Sequence, residues 1–216
     1  MKKLLLATTA CFLSMATAQA DPILSAGSIA IDGFTFSNFT CVSGGSVGTS
    51  VGGCGSVNVA GSASGLSFST LLQTAAGGAI TPISGLDVVI GYQVVSTSLI
   101  SAIGLNFNGA VSGSTGEAQV VEQVFSDAAR SNLIGQGLVS VASGVFATTI
   151  SLLPSVFTAY ITKDIQLSSF STGPLTISSI STINQPYTLV PEPASLALFG
   201  AGLLGLAAVR RRRNQA

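Results

Sequence analysis

Apolar and polar residues alternate with a period of two along much of this 216-residue chain. In "GFTFSNFT", Phe34 and Phe36 face one way and Thr35 and Ser37 the other. "LDVVIGYQVVS" puts Val88, Ile90, Tyr92 and Val94 on one face, and "AIGLNFNG" does the same with Ile103, Leu105 and Phe107. "EAQVVEQVF" sets Val121 and Phe125 against Glu122. "AYITKDIQL" sets Ile161, Ile165 and Leu167 against Thr162, Asp164 and Gln166. A two-residue period in segments rich in β-branched residues and phenylalanine predicts strands. Lys163 interrupts the apolar side of its strand. It reads as a solvated or edge lysine, which would discourage strand-to-strand aggregation.

Turn formers separate these runs: Gly44-Gly45, Gly52-Gly53, Gly77-Gly78, Pro82, "NGAVSGSTG" and "SDAARSN". Ser126-Asp127 and Ser131-Asn132 predict a hairpin over 120–135. Serine, threonine and glycine resist helix interiors, so helix is expected only near the C-terminus. Many short strands between turn signals predict an all-β fold, an antiparallel β-sandwich. A parallel β-helix competes with it, but no fixed repeat supports one. Phe34, Phe36, Phe39, Phe68, Phe107, Phe125, Phe146 and Phe157 are the expected core anchors.

Charge refines the picture. Charged residues make up 7% of the chain, against about 25% in an average soluble domain. Between Asp21 and Val190 seven acids face two bases, a net charge of −5. Such a body cannot neutralise a row of phosphates, which argues against nucleic acid as a partner. The first twenty residues pattern as a signal peptide: basic Lys2 and Lys3, apolar Leu4 to Ala16, then Ala18 and Ala20 flanking Gln19 before Asp21. Export through the Sec machinery is the consequence, with an uncleaved anchor as the alternative. Cleavage removes Cys11 and leaves Cys41 and Cys54. An oxidising compartment favours their pairing across the flexible loop "VSGGSVGTSVGG"; free or metal-binding thiols are the alternative.

Candidate chemistry in the body is sparse. Without histidine there is no Ser–His pair, and a Ser–Lys pair would have to use Lys163. Glu117 and Glu122 lie five residues apart, hence on opposite faces of one strand. "VFSDAARSN" reads as a hairpin turn before a weak cation site, and no EF-hand or phosphate loop is present. Asn38-Phe39-Thr40 fits the glycosylation acceptor pattern but is uninformative by itself. No metal, cofactor or catalytic residue is expected, and the body reads as a non-enzymatic module. A secreted polysaccharide-binding module using Tyr92, Tyr160 or Tyr187 is the alternative. A hydrolase working through carboxylates alone is a more remote one.

The end of the chain is different. Ala194 to Val209 is an uncharged stretch of 16 residues. As a helix it would span about 24 Å, short of the roughly 30 Å hydrocarbon core. Arg210, Arg211, Arg212 and Arg213 follow, marking the cytoplasmic side of a membrane stop. Pro191-Glu192-Pro193 precedes it, and its prolines keep the chain extended there. The three features in this order closely resemble the PEP-CTERM sorting signal. The resemblance covers about the last 27 residues, from Val190 to Ala216. It implies that the protein is a substrate of exosortase, a membrane-embedded cysteine transpeptidase-like enzyme of Gram-negative bacteria that make exopolysaccharide. On that analogy Pro191, Glu192 and Pro193 are the recognition element, and the helix and arginines are discarded after cleavage.

The expected organisation is a signal peptide at 1–20, a β-rich extracytoplasmic domain at 21–185, and a linker carrying the PEP motif at 186–193. A transmembrane helix at 194–209 and a basic cytoplasmic tail at 210–216 complete it. The expected function is that of an exported surface or matrix protein. It would be anchored transiently in the inner membrane and would act by structure or adhesion in association with exopolysaccharide or biofilm.

Overall fold

Alternation of the kind seen in the sequence is satisfied when every second side chain enters a core, and a computed structural model of the protein has this form. It describes residues 21–77, 83–113 and 115–190. The expected signal peptide with Ala18 and Ala20, the motif Pro191-Glu192-Pro193, the apolar stretch expected as a transmembrane helix at 194–209 and Arg210 to Arg213 lie outside the described residues.

Among the described residues, eleven strands occur in chain order: β1 (Asp21–Pro22), β2 (Ile29–Ile31), β3 (Phe34–Val47), β4 (Thr49–Val51), β5 (Val57–Ser62), β6 (Gly65–Ala76), β7 (Ile83–Ser112), β8 (Gly116–Phe125), β9 (Leu133–Ser140), β10 (Ala147–Phe170) and β11 (Thr176–Leu189). The one helical element among the described residues is the 3-10 turn Cys54–Ser56. No helix among them is long and apolar enough to cross a membrane. Every pairing among the described residues is antiparallel, and the main path runs β1-β5-β6-β11-β7-β10-β8-β9.

The all-β antiparallel expectation holds, but the strands are neither all short nor divided between separate sheets. One hydrogen-bonded sheet of 11 strands folds over on itself. Two long strands make this possible. β7 has 30 residues and β10 has 24. The first part of β7 pairs with β3 and its second part with β11, while β10 follows it on the other side. Pairing between β7 and β10 shifts register between Ser151 and Thr158, around Pro154, which has no N–H to give to a ladder. One layer is therefore β3, the start of β7, the end of β10, β8 and β9. The other contains β5, β6, β11 and the end of β7.

Contacts across the interior show the layers facing each other. Thr74 on β6 and Ser169 on β10 are hydrogen-bonded at 2.9 Å, and the rings of Phe36 on β3 and Tyr187 on β11 lie 5.2 Å apart. Val88, Ile90, Tyr92, Val94, Ile103, Leu105 and Phe107 are all buried, as their alternation requires. Phe34, Phe36 and Phe68 join them, and Phe39 is half-buried. Phe146 and Phe157 are exposed, so these two are not core anchors; Phe157 lies within the register shift of β10.

The hairpin over 120–135 forms between β8 and β9. Asp127 closes its turn by accepting the backbone N–H of Asn132 at 2.7 Å and that of Ser131 at 3.1 Å. These bonds favour the ionised form, so the Asp127 carboxyl is held below its ordinary range. The phase of β8 differs from expectation. Ala118, Val120, Glu122 and Val124 point inward, and Val121 and Phe125 are only half-buried. "VVEQV" fits either phase; the observed one turns Glu122 toward Lys163. At the other end, β11 continues through Pro186 to Leu189. The strand thus enters the stretch expected as a linker at 186–193.

Candidate functional site

The inward positions of three strands carry polar groups that meet in the centre of the fold. On β10, Lys163 sits between inward Ile161 and Ile165. On β8, Glu122 sits between Val120 and Val124, directly opposite Lys163 in the β8–β10 register. On β11, in the facing layer, Gln185 sits between Ile183 and Tyr187. Lys163, Glu122 and Gln185 are each at 0% exposure, which excludes the solvated or edge role expected for Lys163. A buried lysine must be paired, and the inward phase of β8 supplies its partner.

The Glu122 carboxylate bridges two donors. Oε2 accepts from Lys163 Nζ, and Oε1 accepts from Gln185 Nε2. Gln185 Oε1 in turn accepts from the Tyr92 hydroxyl, which shares a 2.9 Å hydrogen bond with the Tyr187 hydroxyl. The Phe68 ring closes the site, with its centroid 5.7 Å from Lys163 Nζ. Burial pushes the Glu122 carboxyl above its ordinary range, partly offset by Lys163. Burial pushes the Lys163 ammonium down, partly offset by Glu122. Both changes favour the neutral amine and the neutral acid. Tyr92 and Tyr187 are raised well above 10 by burial first, so both remain phenols.

The other expected residues fall elsewhere. Tyr92 and Tyr187 are interior groups and cannot form an exposed sugar platform; Tyr160 is half-buried. The acids do not gather into a cleft. Glu117 accepts from Ser140 Oγ at 2.6 Å, on the opposite face of β8 from Glu122. Asp87 on β7 and Asp164 on β10 do meet on an outer face. Burial first, then the neighbouring Asp164 carboxylate, raises the Asp87 carboxyl. Among the described residues no three metal-ligating side chains cluster. A shallow groove of about 390 Å³ lies beside Leu71, Gln73 and Ser179, with no titratable side chain in its lining.

Cys41 and Cys54 are joined as a disulfide, with Cα atoms 5.7 Å apart. It ties β3 in one layer to the 3-10 turn that leads into β5 in the other. Gly52 and Gly53 have φ of 107° and 132°, and they turn the chain into that position. A Cβ on Gly52 would lie 2.5 Å from the carbonyl oxygen of Leu71.

The last described residues connect this body to the C-terminal motif. Val190 N donates to Leu99 O at 2.8 Å, so β11 is tied to the β7 region up to the residue before Pro191. An antiparallel all-β body thus leads without a spacer into Pro191-Glu192-Pro193. That combination defines a body delivered by a C-terminal address. The PEP-CTERM protein-sorting motif matches residues 189–213, so the chain carries this motif at its C-terminal end. The match starts at Leu189, the final residue of β11. It supports exosortase-dependent sorting to the cell surface. No curated protein matches the chain.

Proposed function

We propose that this protein is a structural or adhesive component of the cell surface or extracellular matrix, associated with exopolysaccharide. The Sec machinery exports it, and the apolar stretch 194–209 with Arg210 to Arg213 holds it transiently in the inner membrane of a Gram-negative cell. Exosortase then recognises Pro191-Glu192-Pro193 and cuts near them, releasing the body. The observation that carries this reading is the sorting motif at 189–213, joined directly to the last strand. A non-enzymatic role is supported by the burial of Lys163 and Glu122, which puts both out of reach of any outside substrate. The burial of Tyr92 and Tyr187 weighs against the alternative of a tyrosine-based polysaccharide-binding module.

The test is Glu192→Ala in a host that contains exosortase. The variant should accumulate in the inner membrane with its tail attached, as judged by fractionation and the mass of the C-terminal peptide. Normal processing and release would refute the sorting step. Deletion of the whole protein should alter biofilm or flocculation if the surface role is correct.

A further inference from the structure

A buried ion pair needs only Lys163 and Glu122, yet two further groups are built around it. The carboxamide of Gln185 lies on the second oxygen of the same carboxylate, so the Lys163 amine and the Gln185 amide are held side by side. The Tyr92 hydroxyl is aimed at the oxygen of that amide. Water is excluded from Lys163, Glu122, Gln185 and Tyr92, all at 0% exposure, and Phe68 lies against the amine. An amine, a proton carrier, an amide and a donor to the amide oxygen in one dry site are the components of an aminolysis.

We propose that Lys163 and Gln185 become joined by an intramolecular isopeptide bond, formed with the help of Glu122 and with loss of ammonia. The Glu122 carboxylate first takes a proton from the Lys163 ammonium, leaving a neutral amine and a carboxylic acid. The direction in which burial moves both groups favours this transfer. Nζ attacks Gln185 Cδ, and the π pair of the carbonyl moves onto Oε1, where the Tyr92 hydroxyl holds the developing charge. Glu122 gives its proton to Nε2 and takes one from Nζ. The Cδ–Nε2 bond then breaks and ammonia leaves. One C–N bond forms, one breaks, nothing is oxidised or reduced, and Glu122 retains the proton it gained. Each chain reacts once with itself, so the protein does not become an enzyme. The bond would run from β10 in one layer to β11 in the other. It would fix the last strand before the sorting motif, and it is independent of whether exosortase cuts there.

The sequence provides a direct test. After export, Arg130 and Lys163 are the only basic residues before Arg210. The full-length protein is produced with export, then reduced, denatured and digested with trypsin and with a lysine-specific protease. With the bond present, cleavage after Lys163 is blocked, and the fragment starting at Ser131 is lighter by one ammonia. Its fragmentation spectrum places the link between Lys163 and Gln185. Tyr92→Phe should lower the linked fraction, and Glu122→Ala should abolish it. Complete cleavage after Lys163, with each fragment at its sequence mass, would overturn the proposal. A cross-linked pair, the fragment ending at Arg130 joined to the one starting at Ser131 and together lighter by one water, with the link between Lys163 and Glu122, would overturn Gln185 as the acceptor. Both readings come from the wild-type protein and survive a failure of the Glu122 variant to fold.

Discussion

Removing the disulfide should cost a definite amount of stability. Cys41 and Cys54 are separated by 13 positions. Closing a loop of about that length removes on the order of 10 cal/mol/K from the unfolded chain, or about 3 kcal/mol at 25 °C. For a domain of this size, unfolding in urea has a slope of roughly 2 kcal/mol/M, so the midpoint should fall by about 1.5 M. The perturbation is the double variant Cys41→Ser with Cys54→Ser, followed by far-ultraviolet circular dichroism because the chain has no tryptophan. Reduction of the wild-type protein should give the same shift, which separates loss of the bond from any effect of the new hydroxyls. The loop 41–54 and the segment 163–185 do not overlap. An isopeptide bond across the second would therefore leave this difference in place. A midpoint change below about 0.5 M, in the variant or on reduction, would refute the entropic account.

Two further changes test the geometry around this framework. Gly52→Ala should cost roughly 1–3 kcal/mol, because φ is 107° there and the new Cβ would press on the Leu71 carbonyl; urea unfolding measures it, and an unchanged midpoint would remove the clash. Asp87→Asn should change the pH dependence of stability. A carboxyl raised in the folded state gives a contribution that is present at low pH and lost as pH rises through the raised value. The Asn variant should therefore gain on the wild type as pH rises from below the ordinary aspartate range through the raised value, read as the difference in thermal midpoints. A difference that does not vary with pH would contradict the Asp87–Asp164 pairing.

Much of the fold was legible because alternation has one physical cause in a sheet. Val88 to Val94 and Ile103 to Phe107 had to face a core, and the Ser126–Asn132 turn had its chemistry in plain view. The two long strands were not legible. Ser96 to Ile100 and Ser151 to Thr158 look like breaks between strands, but in the structure the chain passes through them as irregular stretches of β7 and β10. The polar centre was missed for a related reason. Lys163, Glu122 and Gln185 each interrupt an apolar alternation, and each interruption read alone suggests an edge or the opposite phase. Only the register of β8 on β10 and the facing of β11 show that the three interruptions coincide. A usable signal was present, since an acid, a base and an amide each replaced a core residue in a chain with so few charges.

That centre and the C-terminal address are linked through β11. Only Val190 separates this strand from Pro191-Glu192-Pro193, so a force applied at the tail, before or after sorting, acts first on its end. β11 is held between β6 and β7 by ladders that also reach back to Gly65 and Ser112. Hydrogen bonds at the pulled end would fail one after another, each contributing only about 1 kcal/mol. A covalent tie at Gln185 would confine that peeling to the stretch from Pro186 to Val190 and pass the load to Lys163. β10 then spreads it, because it is paired with β7 on one side and β8 on the other. The expected consequence in single-molecule pulling from the C-terminus is a short extension that stops at Gln185. In Gln185→Ala or Lys163→Met the whole of β11 should peel. Equal extensions in the wild type and both variants would mean that the polar centre carries no load.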